Sequence, residues 1–399
     1  MELADEAPGA STLRYRDLTG RRRALTYFSR YDALRESAPI YRGDAGTGDD
    51  FWMVTRFSTI RAVLQRPDLF SSSAVTVTEP DPPYLWIPLM LDPPEHTTWR
   101  HQLAPVFSPS AIAKLEPRVR QRCVELIESF ASAGHCDFVE DLAHRFPTTI
   151  FMELMGLPIA DFDRLMAWEH AILRQKAAVE GGSPPLTAMR EVTAYFAELV
   201  AERRRQPRAD LLSEAATWEV DGEPIPEREL LAMCLLLFMA GLDTVAAQLS
   251  YSMLHLATHA ADRRRIIEER AVIPAAVEEF LRAYSIVLTS RKVTEDIELE
   301  GCPMKKGQMV YLPLCSGTRD GAEFADAGTV EFDRSPNHHI AFGAGPHRCL
   351  GSHLARLELK VALEEWHTRI PSYRVSAGVE IIEHGGVLGL DSLPLEWDT

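Results

Sequence analysis

The segment HHIAFGAGPHRCLGSHLAR, His338 to Arg356, gathers one cysteine, four histidines and two arginines among closely spaced glycines. A thiol in such a setting has three possible roles: buried structural group, nucleophile or metal ligand. Gly343, Gly345 and Gly351 surround Cys349, and glycine lets a backbone take positive φ or approach a flat ligand closely. The helix expected to start at Ser352 aims its first amides back at the sulfur, and those amides and the helix dipole favour a thiolate. A buried structural cysteine requires no loop of this kind. Taken alone, the loop leaves all three roles open.

Three other segments carry residues that are costly or purposeful where they stand. In EEFLR, Glu279 and Arg282 lie three apart on one helical face and can pair. In AGLDT, Ala240 to Thr244, a glycine, an acid and a threonine interrupt an apolar helix. Glycine costs about 1 kcal/mol relative to alanine in a helix, and a carboxylate facing a core costs more. In HTTWR, His96 and Arg100 are four apart on one helical face, directly after DPPE. Each of these features alone also suits an ordinary solvated helix face.

Phe342-Gly343-Ala344-Gly345-Pro346-His347-Arg348-Cys349-Leu350-Gly351 resembles the haem-binding loop of cytochromes P450, FGxGxHxCxG, at every fixed position. The resemblance implies that Cys349 is the thiolate ligand of a haem b iron, within a cofactor-binding loop of Phe342, Gly343, His347 and Gly351. His347 would meet a haem propionate and Phe342 would pack beside the sulfur. Glu279 and Arg282 resemble the family's ExxR, a structural pair that locks with a later arginine, either Arg319 or Arg334. His96 and Arg100 resemble its HxxxR, and Arg291 is the further propionate partner it leads one to expect. AGLDT resembles the helix over the distal haem face, where Ala240 and Gly241 border an opening for dioxygen. Asp243 would relay protons and Thr244 would present them, so that the O–O bond breaks heterolytically.

The likeness runs from YDALRESAPIY to LPLEWD and is nearest in style to the soluble bacterial camphor hydroxylases. It implies a haem-thiolate monooxygenase acting on a compact hydrophobic substrate such as a terpenoid. Tyr84, Trp86, Leu89, Leu236, Met239, Ala240, Val287 and Leu288 are the pocket positions it points to, with the Tyr84 hydroxyl a candidate hydrogen-bond partner of the substrate. No flavin or nicotinamide domain fits beside it, so electrons are expected from a separate ferredoxin and its reductase. The docking face would lie around Arg100, His101, Arg118, Arg120, Arg122 and Arg348. Alternatives are a peroxide-driven peroxygenase, against which the Asp243–Thr244 pair argues, a non-catalytic haem-thiolate binder, and a protein without haem in which Cys349 is structural.

The elements that must position these residues read as mainly helical with a minor β region, over one domain spanning 1–399. Hydrophobic residues make up 46% of the 399 and charged residues 25%, which suits a protein with a large core. A net charge of −16 speaks against general nucleic-acid binding. The N-terminus lacks an apolar run, and the run Leu230 to Leu242 is too short to span a bilayer. Six cysteines without CxxC spacing suggest reduced thiols. A cytoplasmic monomer is the expectation. From about 97 to 285 the periodicity predicts helices, including a continuous one from Glu227 to Thr258 and a connector EGGSPP near 180–185. After Ser285 alternation predicts a small sheet with KKG as its hairpin turn, then a final helix over Ser352–Arg369. The proline-rich stretch from Glu79 to Pro94 reads as a functional loop.

Overall fold

The computed structural model describes residues 13–173, 186–220 and 222–399, so EGGSPP lies outside the described residues. Helices dominate. A mixed sheet of six short strands orders, edge to edge, Leu13–Arg14, Ile40–Asp44, Asp50–Val54, Met309–Pro313, Leu288–Val293 and Phe70–Ser71. Met309–Pro313 is buried along its whole length, as a strand with neighbours on both sides should be. Its antiparallel register against Leu288–Val293 sets Val310 opposite Arg291, which fixes that arginine inside the protein.

The Glu227–Thr258 stretch is long and apolar enough to cross a membrane, but most of its apolar length is buried within the protein. It is two helices, Glu227–Leu242 and Thr244–Thr258, meeting at Asp243. The predicted continuity fails there for a structural reason. Glu227–Leu242 belongs to one apolar core with Phe162–Leu173, Leu186–Arg205 and the end of Arg145–Met155 (Phe151, Met152 and Met155). Thr244–Thr258 belongs to a second, with Glu116–Phe130, Ile273–Ala283 and Ser352–Arg369. Asp243 marks the seam between the two cores.

Ser352–Arg369 forms as the periodicity predicts and packs on Glu116–Phe130 and Ile273–Ala283. The hairpin turn differs from expectation. Ile297–Leu299 pairs with Cys302–Met304, and the chain reverses at Glu300 and Gly301, both at positive φ. Lys305-Lys306-Gly307 instead carries the chain onward to Met309–Pro313, its Gly307 amide donating to the Val293 carbonyl at 2.8 Å.

Candidate functional site

Cys349 stands on an irregular loop between the Ile340 region and Ser352. Gly343 and Gly345 adopt φ of 72° and 69°, left-handed values that side chains disfavour. At Gly345 a Cβ would also come within 2.4 Å of the Leu64 carbonyl oxygen, so the loop seats against the end of Phe57–Leu64 only because nothing projects there. The Cys349 amide donates to the Phe342 carbonyl at 2.8 Å. Cys349 is exposed, Cys302 is half-buried and the other four cysteines are buried. Dense surroundings push the Cys349 thiol up, while the Gly351 amide and Arg100, Arg348 and Arg356 draw it down, leaving it net raised. The thiol is therefore crowded on one side and accessible on the other, on a wall of the protein. A Cβ added at Gly351 would meet nothing within 4 Å, so the same wall is flat beside the sulfur.

Ile273–Ala283 buttresses this loop. Glu279 and Arg282 are completely buried and bonded twice, at 2.7 and 2.8 Å. Arg282 also donates to the carbonyls of Thr318, Ala327 and Thr329. Glu279 accepts from the Glu331 amide, from Arg334 at 3.1 and 3.2 Å and from Asn337 at 3.1 Å. The third arginine is therefore Arg334. Arg319 turns instead to Asp32, with its shortest contact 2.6 Å. Sequence reasoning left His339 without a role and passed over its partner: its ring lies 3.1 Å from Glu278, which also holds Arg356. Residues from three separate segments make this cluster, and no local spacing announces it.

Beside the loop sits a group of basic side chains of a different kind. His96 and Arg291 are buried, Arg100 and His347 are half-buried, and the two imidazoles lie 4.0 Å apart. None of the four has an ion pair among the described residues. Arg291 donates to the Ser290 carbonyl at 2.8 Å and to the Thr289 hydroxyl at 3.4 Å. His96 Nδ1 and His347 Nε2 are buried without a hydrogen-bond partner. Asp92, the nearby acid, is held by Ser71 and by the Ser72 amide. Burial first, then the neighbouring cations, depresses His96 to about 4 and His347 to about 2. Burial lowers Arg291 to about 10 despite Asp92. Buried cations normally have counter-ions; this set is arranged to receive anionic groups from a ligand. The two carboxylates of the haem implied by the sequence resemblance fit that demand, and the accessible Cys349 and open Gly351 face fit its iron and its plane.

On the central helix Glu227–Leu242, Ala240 is exposed although the helix around it is buried. The Thr244 hydroxyl donates to the Ala240 carbonyl at 3.0 Å, and the backbone ladder resumes with Ala247 N–H to the Asp243 carbonyl at 2.9 Å. Asp243 is buried. Gly241 is accounted for by packing: a Cβ there would reach within 2.5 Å of the Phe151 ring. It faces Phe151 of Arg145–Met155, whereas Ala240 next to it is exposed.

Of the expected pocket residues, Tyr84, Trp86 and Met239 join one apolar cluster, with the Tyr84 and Trp86 rings stacked at 4.9 Å. The Tyr84 hydroxyl donates to Glu79 at 2.6 Å, a partner that sequence reasoning missed. Leu89 and Leu236 are half-buried outside that cluster, and Val287 and Leu288 pack on the other cores beside the sheet. Half of the expected basic face is neutralised. Arg118 pairs with Glu153, Arg120 with Glu116, Glu364 and Glu365, and Arg122 with Glu125 and Glu153. Arg100, His101 and Arg348 have no such partner among the described residues.

Comparison with known proteins places this geometry. Residues 186–366 match the sequence model of the family described as Cytochrome P450. The chain is 35% identical over 367 residues to a probable cytochrome P450 127A1 of Sinorhizobium fredii, covering 91% of this chain and 87% of that one. It is 33% identical over 358 residues to a mycinamicin IV hydroxylase/epoxidase of Micromonospora griseorubida, covering 88% and 90%. A crystal structure of CYP101J2 superposes with a TM-score of 0.88 at 29% identity, over 100% of both chains. This chain belongs to the cytochrome P450 family, and with that family it is a monooxygenase whose cofactor is haem.

Proposed function

We propose that this monooxygenase oxidises a compact hydrophobic substrate, such as a terpenoid, with Cys349 as the thiolate ligand. The observation that carries the assignment is the group His96, Arg100, Arg291 and His347, two arginines without protein counter-ions and two imidazoles with unpartnered ring nitrogens, next to the one exposed cysteine. Those four side chains would hold the cofactor's carboxylates by charge-assisted hydrogen bonds. Bound there, haem supplies the one-electron and dioxygen chemistry. The chain's own residues orient, exclude water and move protons.

Thr244 gives its hydroxyl proton to the Ala240 carbonyl, which leaves its oxygen lone pairs directed away from the helix. In that state its oxygen accepts a hydrogen bond; when the O–H turns away from Ala240 it can give up that proton and take another, with Asp243 at the seam as the route back to solvent. Tyr84, Trp86 and Met239 supply an apolar wall, and relatives named as a methyl-branched lipid omega-hydroxylase and a mycinamicin IV hydroxylase/epoxidase support oxidation of a hydrophobic molecule. Because Tyr84 donates to Glu79, its single proton is already committed. Electrons would arrive from a separate ferredoxin with its reductase, docking around Arg100, His101 and Arg348.

Thr244→Ala tests the proton route. The variant is expected to keep its haem and its substrate-induced spin shift while product per electron consumed falls roughly tenfold or more, since positioned proton transfer typically contributes about 10²–10⁴-fold. Coupling equal to that of the parent protein contradicts the role given to Thr244.

A further inference from the structure

We infer that Glu278 is a positioning residue for Cys349, clamping both ends of the cysteine loop from the helix behind it. The inference rests on Cys349 being the haem ligand. Glu278 and Glu279 are neighbours on Ile273–Ala283 but serve different partners. Glu279 is spent on Arg282, Arg334, Asn337 and the Glu331 amide, all before the loop begins. Glu278 reaches past them. One carboxylate oxygen lies 2.5 Å from Arg356 Nε; the other lies 2.8 Å from Arg356 Nη2 and 3.1 Å from His339 Nε2.

His339 precedes the cysteine and Arg356 follows it, so one carboxylate joins the irregular segment entering the loop to the helix leaving it. The ring nitrogens of His339 have fixed roles. The Ala341 amide can only donate, and it lies 3.3 Å from Nδ1; Nδ1 is therefore the acceptor and Nε2–H donates to Glu278. The His339 side chain is only 3% exposed. From Ala341 the chain passes to Phe342, whose carbonyl receives the Cys349 amide at 2.8 Å. Arg356 closes the circuit, its guanidinium 4.6 Å from the centre of the Phe342 ring in cation–π contact. Both arms of the clamp end on Phe342, and Phe342 holds the backbone of Cys349. Burial pushes the Glu278 carboxyl up, but Arg356 and His339 outweigh it and hold it near 2, ionised, which keeps the pairing charge-assisted.

The test compares the reduced, carbon monoxide-bound holoenzyme with its Glu278→Gln variant. The half-time for the far-red-shifted Soret band to convert to the shorter-wavelength form without thiolate is expected to shorten about tenfold. Arg118→Gln, which breaks the Arg118–Glu153 pair far from the loop, is expected to leave that half-time unchanged. If Glu278→Gln does not yield folded holoenzyme, His339→Phe is measured instead; it keeps the ring volume, removes one arm and should shorten the half-time in the same direction. A half-time within about twofold of the parent, or shortened equally by Arg118→Gln, overturns the clamp. A parent protein that never shows the far-red band overturns the ligand assignment instead, so the two failures are distinguishable.

Discussion

Two sets of basic side chains lie near the cysteine loop, and the protein treats them in opposite ways. Arg282 and Arg334 share the buried Glu279 carboxylate, and their remaining protons go to backbone carbonyls. Arg291, Arg100, His96 and His347 share no carboxylate among the described residues, Arg291 has only the Ser290 carbonyl and the Thr289 hydroxyl, and two of the ring nitrogens are buried without any partner. A closed network holds a shape, because each charge already has what water would have given it. An open one costs stability until something arrives. The first set is scaffold and the second is receptor, although arginine and histidine alone would not distinguish them.

The contrast is broken most severely on the scaffold side. Glu279→Gln leaves two buried arginines with one weakened acceptor, and loss of one partner from a buried ion pair costs about 3–5 kcal/mol. Denaturant unfolding should report a loss of that size; a change under about 1 kcal/mol would make the network ornamental. On the receptor side the sign reverses. Arg291→Leu removes a buried charge that has no counter-ion, so the haem-free protein should gain about 1–2 kcal/mol while haem retention weakens on the order of tenfold or more. A variant destabilised without its cofactor would erase the distinction between the two sets.

The remaining effect is a pH dependence. His96 is depressed from 6.5 to about 4 by burial and by Arg100 and Arg291. Below pH 6.5 the unfolded chain takes up a proton that the folded one refuses. Its contribution to haem-free stability is therefore complete above 6.5 and is lost as pH falls towards 4, by roughly 1.4 kcal/mol per pH unit. His96→Gln should flatten that acid limb; an unchanged slope would place the responsible proton elsewhere.

What the sequence revealed, and what it withheld, follows the range of the interactions. The cysteine loop is legible because its residues act within ten positions of one another, and the closing helix because its apolar spacing is local. The choice between Arg319 and Arg334 is not local: it depends on Asp32 capturing Arg319 from a distant helix. The same holds for Glu278, whose partners lie 61 and 78 residues away. Gly241 looked like an opening for dioxygen because its helix suggests one, yet Phe151 fills the space its missing side chain leaves. Arg118, Arg120 and Arg122 read as a basic face along the chain, although Glu153, Glu364 and Glu365 reach them from other helices. Charge can be counted along a chain, but neutralisation depends on the fold.

The assignment of Cys349 as the haem ligand is tested most directly by the spectrum of the reduced protein under carbon monoxide. The parent protein should show the far-red-shifted Soret band of thiolate-ligated haem, and Cys349→Ala should abolish it. A parent protein that takes up haem without that band, or a Cys349→Ala variant that retains it, would contradict the account.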